Sequence, residues 1–385
     1  MKTSSIILFF TFALSLFGSV NYYIFMRGWQ SIPKDLAVRI PYVIIFVTIA
    51  LSFIAGRFLE HYSICIASDI LIWVGSIWFG MMLYLFLGTA ACDLLRFINW
   101  LTNYIPVPSP RYDRIKLMIA IGVTAAAALV VAGGYINTLH PRIRTLVIDI
   151  PKKAGSRPCL DIALVTDIHL GTIISNSRLL KMVDMINITH PDIVLLGGDI
   201  LDEDLAPVIQ HNMGELLGGI RTRYGVYAVT GNHEYIGGVE RACRYLSANG
   251  VTMLRDAAVL IDNSFYLIGR EDRSISQFTG RERKPLEDII RGIDRKLPLI
   301  MMDHQPFRLS DAIEQGIDLQ VSGHTHHGQL WPANIVTGMI YEVSRGYRQF
   351  GGTSVFVSNG YGTWGPPSRV GNIPEVVHIK LRFAR

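Results

Sequence analysis

The sequence predicts an α/β protein: a bundle of about four membrane-spanning helices, then an α/β sandwich of two sheets flanked by helices. Three observations carry this expectation. Residues 1–140 are almost wholly apolar, whereas residues 141–385 have an ordinary soluble composition. The soluble part alternates short apolar runs with segments of helical periodicity, the pattern of sheets buried on both faces. Its last strands follow one another with fewer helices between them, which a simple doubly wound sheet would not do.

The 385 residues are 50% hydrophobic and 17% charged, against roughly 25% charged for an average soluble chain. The shortfall lies in the N-terminal part, so the break near His140-Pro141 divides a lipid-facing region, 1–140, from a water-facing domain, 141–385. The apolar runs are 6–26, 40–56, 70–92 and 117–135, the second being the shortest. About 20 mostly apolar residues cross a bilayer. Lys2 ahead of the first run imitates a signal peptide, but no small-x-small cleavage site follows it. Removing that run would still leave three others as an anchor.

Asp69 lies at the margin of the third run and Asp93 just beyond it. No ionisable residue falls well inside a run, as a transport path would require, so the segments read as a passive anchor. The loops 27–39 and 93–116 hold most of the basic residues among the short loops, including Arg27, Arg39, Arg96 and Arg114. The positive-inside rule then puts the C-terminal domain outside the cytoplasm. Arg142, Arg144, Lys152, Lys153 and Arg157, after the fourth run, pull the other way.

The formal net charge is +5, with no dense Lys/Arg stripe interleaved with aromatics. Nucleic acid is therefore not an expected partner. Cys65, Cys92, Cys159 and Cys243 form no CxxC pair, which excludes a zinc knuckle or dithiol motif. No feature bears on oligomeric state.

In the soluble part, 161–167 (DIALVTD) and 192–199 (DIVLLGGD) are apolar runs closed by a carboxylate, with a helical pattern over 177–190 between them. Further strands are predicted at 225–230, 265–269, 297–302, 318–322, 353–358 and 376–381, and helices near 239–248, 286–293 and 309–315. Metal-capable side chains recur at five of the predicted strand ends. They are Asp167-x-His169, Gly198-Asp199, Gly231-Asn232-His233-Glu234, Asp303-His304 and Gly323-His324-Thr325-His326.

Any one cluster also reads as chance, a turn or a surface tract, but five in register with five strand ends make a site. If the segments are extended, residues i and i+2 face one centre. Carboxylate, imidazole and carboxamide without thiolate suit Mn, Fe or Zn better than Ca or Mg. The donors are too many for one tetrahedral ion. Two ions bridged by a carboxylate would use them all and would clamp the attacking and leaving oxygens of a phosphoryl displacement. Arg270, after the strand 265–269, and Arg369, after the 360–364 loop, are candidates to contact a phosphate oxygen.

At these residues the chain resembles the calcineurin-like metallophosphoesterase superfamily over about 145–385, with D-x-H, G-D-x-x-D (Asp199 to Asp202), G-N-H-E, a lone His304 and G-H-T-H. It is most similar to bacterial membrane-associated phosphoesterases, through the run from Gly323 to Gln329 and the Ser358–Trp364 segment followed by Pro366, Pro367, Arg369 and Pro374-Glu375. The resemblance implies that Asp167, His169, Asp199 and His326 hold one metal. Asp199, Asn232, His304 and His324 would hold the other, with Asp199 as the bridge and His233 beside the leaving group.

It further implies a multi-pass protein of a bacterial inner membrane acting on phosphomonoesters or phosphodiesters, with manganese among the candidate ions. Lipid-linked substrates come within range, since some relatives cleave the pyrophosphate of a UDP-linked diacylglucosamine. Where phosphoprotein phosphatases of the superfamily continue G-D-x-V-D-R-G, this chain reads GDILDED, which argues against phosphoprotein. A membrane sensor that keeps the metal fold without turnover is the alternative. The intact ligand set and His233 favour the enzyme. A transporter with a regulatory domain is disfavoured by the lack of intramembrane charge.

Overall fold

The computed structural model describes residues 3–103 and 110–384. The chain divides into two compact units. One comprises the residues up to Ile136 together with Gly365–Ser368; the other is Asn137–Trp364 with Arg369–Arg385.

The first unit contains α1 (Thr3–Trp29), α2 (Leu36–Tyr62), α3 (Ile66–Thr102) and most of α4 (Pro110–Thr138). Each predicted apolar run lies inside one of these helices, which extend beyond the runs through polar ends. Among the described residues α2, α3 and the Tyr112–Thr138 part of α4 are long and apolar enough to cross a membrane. Asp35 starts α2 by accepting the Ala37 N–H at 2.9 Å, which satisfies one of the unpaired donors of a helix start. The bundle core is apolar, built on Ile24, Ala50, Trp78, Leu85 and Ala127. Among its buried polar residues, Asn21 accepts the Trp78 indole N–H at 2.9 Å. Asp93 falls within α3, where Arg27 at 2.6 Å and the Tyr23 hydroxyl at 2.6 Å engage its carboxylate.

The second unit holds twelve strands: β1 (Arg142–Ile150), β2 (Cys159–Val165), β3 (Ile193–Leu196), β4 (Val226–Ala228), β5 (Val251–Met253), β6 (Ala257–Ile261), β7 (Phe265–Gly269), β8 (Leu299–Met302), β9 (Leu319–Ser322), β10 (Gly346–Phe350), β11 (Thr353–Val357) and β12 (Glu375–Phe383). They form two six-stranded sheets, ordered β1-β12-β2-β3-β4-β5 and β10-β11-β9-β8-β7-β6. Both sheets are mixed. β12 runs antiparallel to β2, while β2, β3, β4 and β5 are parallel. In the other sheet β7, β8, β9 and β11 are parallel and the edge strands β6 and β10 are antiparallel. Helices such as α5 (Asn176–Ile188) make the parallel crossovers.

The two sheets meet in one apolar core. Ile162 pairs with Ile193 and Leu164 with Leu195 across β2 and β3. Their side chains pack with Leu267, Ile300, Met302, Leu319, Val321 and Phe356 of the other sheet. Alternation explains the division of labour: Ala163 and Val165, out of phase with Ile162 and Leu164, are also buried but stand outside that core. Both faces are therefore covered, and the strands read as continuous apolar runs.

Phe356 is fully buried at this junction. Phe356→Ala should cost about 3–5 kcal/mol through lost burial and the cavity left behind. In the detergent-solubilised chain the thermal midpoint of the second unit should then fall by roughly 2–4 °C per kcal/mol.

Candidate metal centre

Five strands end on one edge of the sandwich, and each releases a loop with metal-capable side chains. Asp167 and His169 follow β2, Asp199 follows β3, and Asn232 and His233 follow β4. From the other sheet His304 follows β8, and His324 and His326 follow β9. Their donor atoms gather in three overlapping groups: Asp167 with His169 and His326, His169 with Asp199 and His233, and Asp199 with His304 and His324. Within each group the donor atoms lie within 4.8 Å of one another. His169 Nε2 and His326 Nε2 stand 3.0 Å apart, and His304 Nε2 faces Asp199 Oδ2 at 3.1 Å.

Backbone hydrogen bonds explain how loops from two sheets reach one point. Asp167 Oδ1 accepts the His324 N–H at 2.8 Å, joining the β2 and β9 loops. His304 Nδ1 lies 2.8 Å from the Gly197 carbonyl, joining the β8 and β3 loops. Asp199 Oδ1 accepts the His233 N–H at 2.8 Å. Glycine makes the approach possible at two positions. Gly198 has φ +91°, and a Cβ there would sit 2.6 Å from the His304 ring. A Cβ on Gly231 would sit 2.1 Å from Asp199 Oδ1.

The i, i+2 expectation needs a different backbone from the one assumed. Asp167 and His169 both have φ +52°, His324 has +69° and His326 +43°. These are left-handed conformations and not extended ones, and they are uncommon for residues with a Cβ. Asp167 and His169 still converge, through two tight turns in place of a pleat.

Glu234 and Asp202 complete the frame, and sequence reasoning gave neither a role. The buried Glu234 carboxylate accepts four backbone N–H groups, from Asp199 (3.1 Å), Ile200 (2.8 Å), Leu201 (2.9 Å) and Gly231 (2.7 Å). The Asp202 carboxylate lies 3.5 Å from His233 Nδ1 and 3.7 Å from His169 Nδ1. The signal was there for both: Glu234 closes G-N-H-E, and Asp202 stands three residues after Asp199. Trp364 meets the His233 ring edge-on at 5.8 Å.

Electrostatics follow from the crowding. Burial opposes ionisation of Asp199, yet His304 and His233 outweigh it and hold its carboxyl well below the ordinary value. Burial likewise disfavours the His233 cation, but Asp199 and then Asp202 raise its pKa to about 9. Burial, Arg369 and His169 together push His326 well below its ordinary value, so its imidazole is neutral. Burial and the neighbouring Asp199 raise the Glu234 carboxyl.

The two arginines go to different places. The buried Arg369 donates from Nη2 to His326 Nδ1 at 3.0 Å, and its other N–H groups reach the Gly362 and Asn359 carbonyls and Asn372 Oδ1. Arg270, also buried, donates to the Lys284 carbonyl at 3.1 Å and faces Asp311 at 3.6 Å; these contacts lie away from the histidine cluster. Asp303, read with His304 as one cluster, instead accepts two 3.0 Å bonds from Arg283.

The residues fit divalent ions. Asp167 Oδ2 and Asn232 Oδ1 are buried without a hydrogen-bond partner, an arrangement that costs free energy unless something else engages such atoms. Both are lone-pair oxygens, and with the imidazole-rich groups they make a mixed donor set of the type borderline transition metals accept.

Glu234→Gln removes one acceptor oxygen and points an NH2 at backbone donors. The loss should be on the order of 3 kcal/mol, because bonds to a charged acceptor are worth about 1.5–3 kcal/mol each. Elemental analysis of the purified variant should show metal below the wild-type content, with a lowered thermal midpoint.

Residues 160–328 match the family model for calcineurin-like phosphoesterases. A metallophosphoesterase of Helicobacter pylori is 28% identical over 316 residues, covering 77% of this chain and 82% of its own length. A transmembrane protein with metallophosphoesterase domain from Danio rerio is 30% identical over 282 residues, 70% of this chain and 63% of its own. A metallophosphoesterase of Campylobacter jejuni is 27% identical over 391 residues, 98% of this chain and 99% of its own. The helices, the clustered donors and these matches together identify a membrane-associated, metal-dependent phosphoesterase whose residues 160–328 form a calcineurin-like phosphoesterase domain.

Proposed function

We propose that the chain hydrolyses phosphomonoesters or phosphodiesters at a membrane surface with two divalent transition-metal ions, Mn, Fe or Zn. The observation that carries this reading is the chain of three overlapping donor groups, joined through His169 and Asp199, which offers more donors than one ion can use. Asp167, His169, Asp199 and His326 would hold one ion. Asp199, Asn232, His304 and His324 would hold the other. The bound ions supply Lewis-acid polarisation of the phosphoryl oxygens.

The chain's own residues do the rest. Asp199 is fixed where it could serve both ions, because Glu234 holds its loop and the His233 N–H holds its Oδ1. Arg369 positions His326 through Nδ1 instead of contacting substrate, and Arg270 serves a buried ion pair. His233 delivers a proton. As water adds to phosphorus and the P–O bond to the alcohol breaks, that proton goes to the departing alkoxide. Asp202 beside Nδ1 orients the ring and favours its charged form.

Residues 1–140 act as the multi-pass anchor and 141–385 as the catalytic domain, facing outward from a bacterial inner membrane. A protease shaved over intact spheroplasts should cut the C-terminal domain; protection of that domain until lysis places it in the cytoplasm. The proposed substrates include phosphoesters on lipids or envelope precursors, with UDP-diacylglucosamine-type pyrophosphates among them. Turnover of a panel of monoesters, diesters and lipid pyrophosphates with added Mn²⁺ tests the substrate class.

Asp199→Asn should lower the content of both ions and abolish most turnover; full occupancy with full activity would refute a shared bridge. His233→Asn should leave metal content intact, harm alkyl phosphoesters severely and p-nitrophenyl esters less, since p-nitrophenolate leaves with little protonation. Equal losses on both esters would remove the proton-donor role. Metal loss in that variant would make His233 a ligand.

A further inference from the structure

Directly after the His324–His326 motif, the helix Ala333–Ile340 (ANIVTGMI) buries none of its residues. Trp331 is 52% exposed, Ile335 51%, Val336 55%, Met339 80% and Ile340 56%. A soluble surface rarely leaves so many neighbouring apolar side chains in water unless something covers them. Aromatic residues bound the helix, Trp331 before it and Tyr341 after it, as in segments that lie at a bilayer interface.

Cationic side chains adjoin the same feature. A cavity of about 580 Å³ is lined by Arg142, Arg144 and Arg345, with Glu375 as its one carboxylate. Trp331 borders that cavity: its N–H donates to the Val370 carbonyl at 2.8 Å, and Gly371, the next residue, lines the cavity. Arg345 lies five residues beyond Ile340. Covalent reach then selects the occupant. The last apolar helix ends at Thr138, four residues before Arg142, so the chain keeps Arg142 within about 14 Å of that end at roughly 3.5 Å per residue. Arginines held there sit at the level of lipid phosphates.

We infer that the Ala333–Ile340 helix docks into the lipid bilayer, with Arg142, Arg144 and Arg345 engaging anionic headgroup phosphates. The same helix borders the metal centre, since Tyr341 stacks edge-on to His324 at 6.1 Å. Docking therefore presents the site to phosphoesters carried on lipids, which deepens the proposed function and rests on the chain's membrane association.

The test uses the full chain in phosphatidylcholine vesicles with and without phosphatidylglycerol. A photoreactive p-benzoylphenylalanine replaces Met339 in one preparation. In a second it replaces Ile188, which is 66% exposed at the end of α5, on the sheet edge opposite the site. After irradiation, lipid adducts at position 339 should exceed those at 188 by about tenfold. Phosphatidylglycerol should raise the yield at 339, and Arg142→Gln with Arg345→Gln should cancel that increase. Equal yields at the two positions, or a cross-link from 339 to a second copy of the chain, would overturn the docking. A yield indifferent to phosphatidylglycerol would overturn the headgroup contact. Adduct formation needs no hydrolysis, so an Asp199→Asn chain should give the same adducts. Failure of the hydrolytic proposal is thereby separated from failure of this one.

Discussion

One carboxylate holds the centre together. Glu234 accepts N–H groups from Gly231, Asp199, Ile200 and Leu201, and so ties the turn after β4 to the turn after β3. A carboxylate is acceptor-only with about four lone-pair sites, so it satisfies four converging donors where an amide would not. With its main chain bound to Glu234, Asp199 can present its own carboxylate the other way, toward His233 and His304. The arrangement sets two buried carboxylates side by side, and that repulsion raises the Glu234 carboxyl. Cations beside Asp199 relieve it, so metal binding and the order of these turns reinforce each other.

Left-handed backbone is the second constraint. Asp167, His169, Asp199, His324 and His326 all have positive φ. Such conformations cost on the order of 1–3 kcal/mol each and persist where the surroundings over-determine them. Here the surroundings are the fully buried strands β3 and β9 and the buried C-terminal half of β2 behind the turns, with the cross-sheet bonds in front. Strain at the ligands is thus sustained by the inter-sheet core, which is why a change such as the loss of Phe356 would be felt at the site as well as in stability.

Much of this was legible from residue order. Short apolar runs ending in Asp, Gly or His mark both the strands and their functional ends, because burial on both faces demands apolar runs and the turns beyond them need glycine or polar residues. Less legible was anything set by partners distant in sequence. Arg270 and Arg369 each follow a strand or loop of the right kind, but only folding shows that one meets Asp311 and the other His326. The edge strands β1 and β10 expose much of their surface and lack the apolar signature that identified their neighbours. The helix Ala333–Ile340 is as apolar as a buried strand, and composition alone could not tell burial in protein from burial in lipid.

The charge of the centre links its chemistry to that surface. Asp167, Asp199 and Asp202 bring three carboxylates to the cluster, and Arg369 stands behind His326 as a buried cation. With the Glu234 carboxylate beside Asp199 counted as well, two divalent ions, as proposed, balance the carboxylates, and Arg369 leaves the centre positive. A centre left positive in a partly desolvated pocket attracts a phosphoryl dianion far more strongly than the same charge in water. The neutral imidazole of His326 matters here, because a charged ring would repel an ion where a neutral one can bind it. Burial and then Arg369 favour that neutrality, and Arg369 adds its own positive charge to the field the substrate meets. On the inferred docking, the arginines at 142, 144 and 345 would extend that field toward the anionic headgroups.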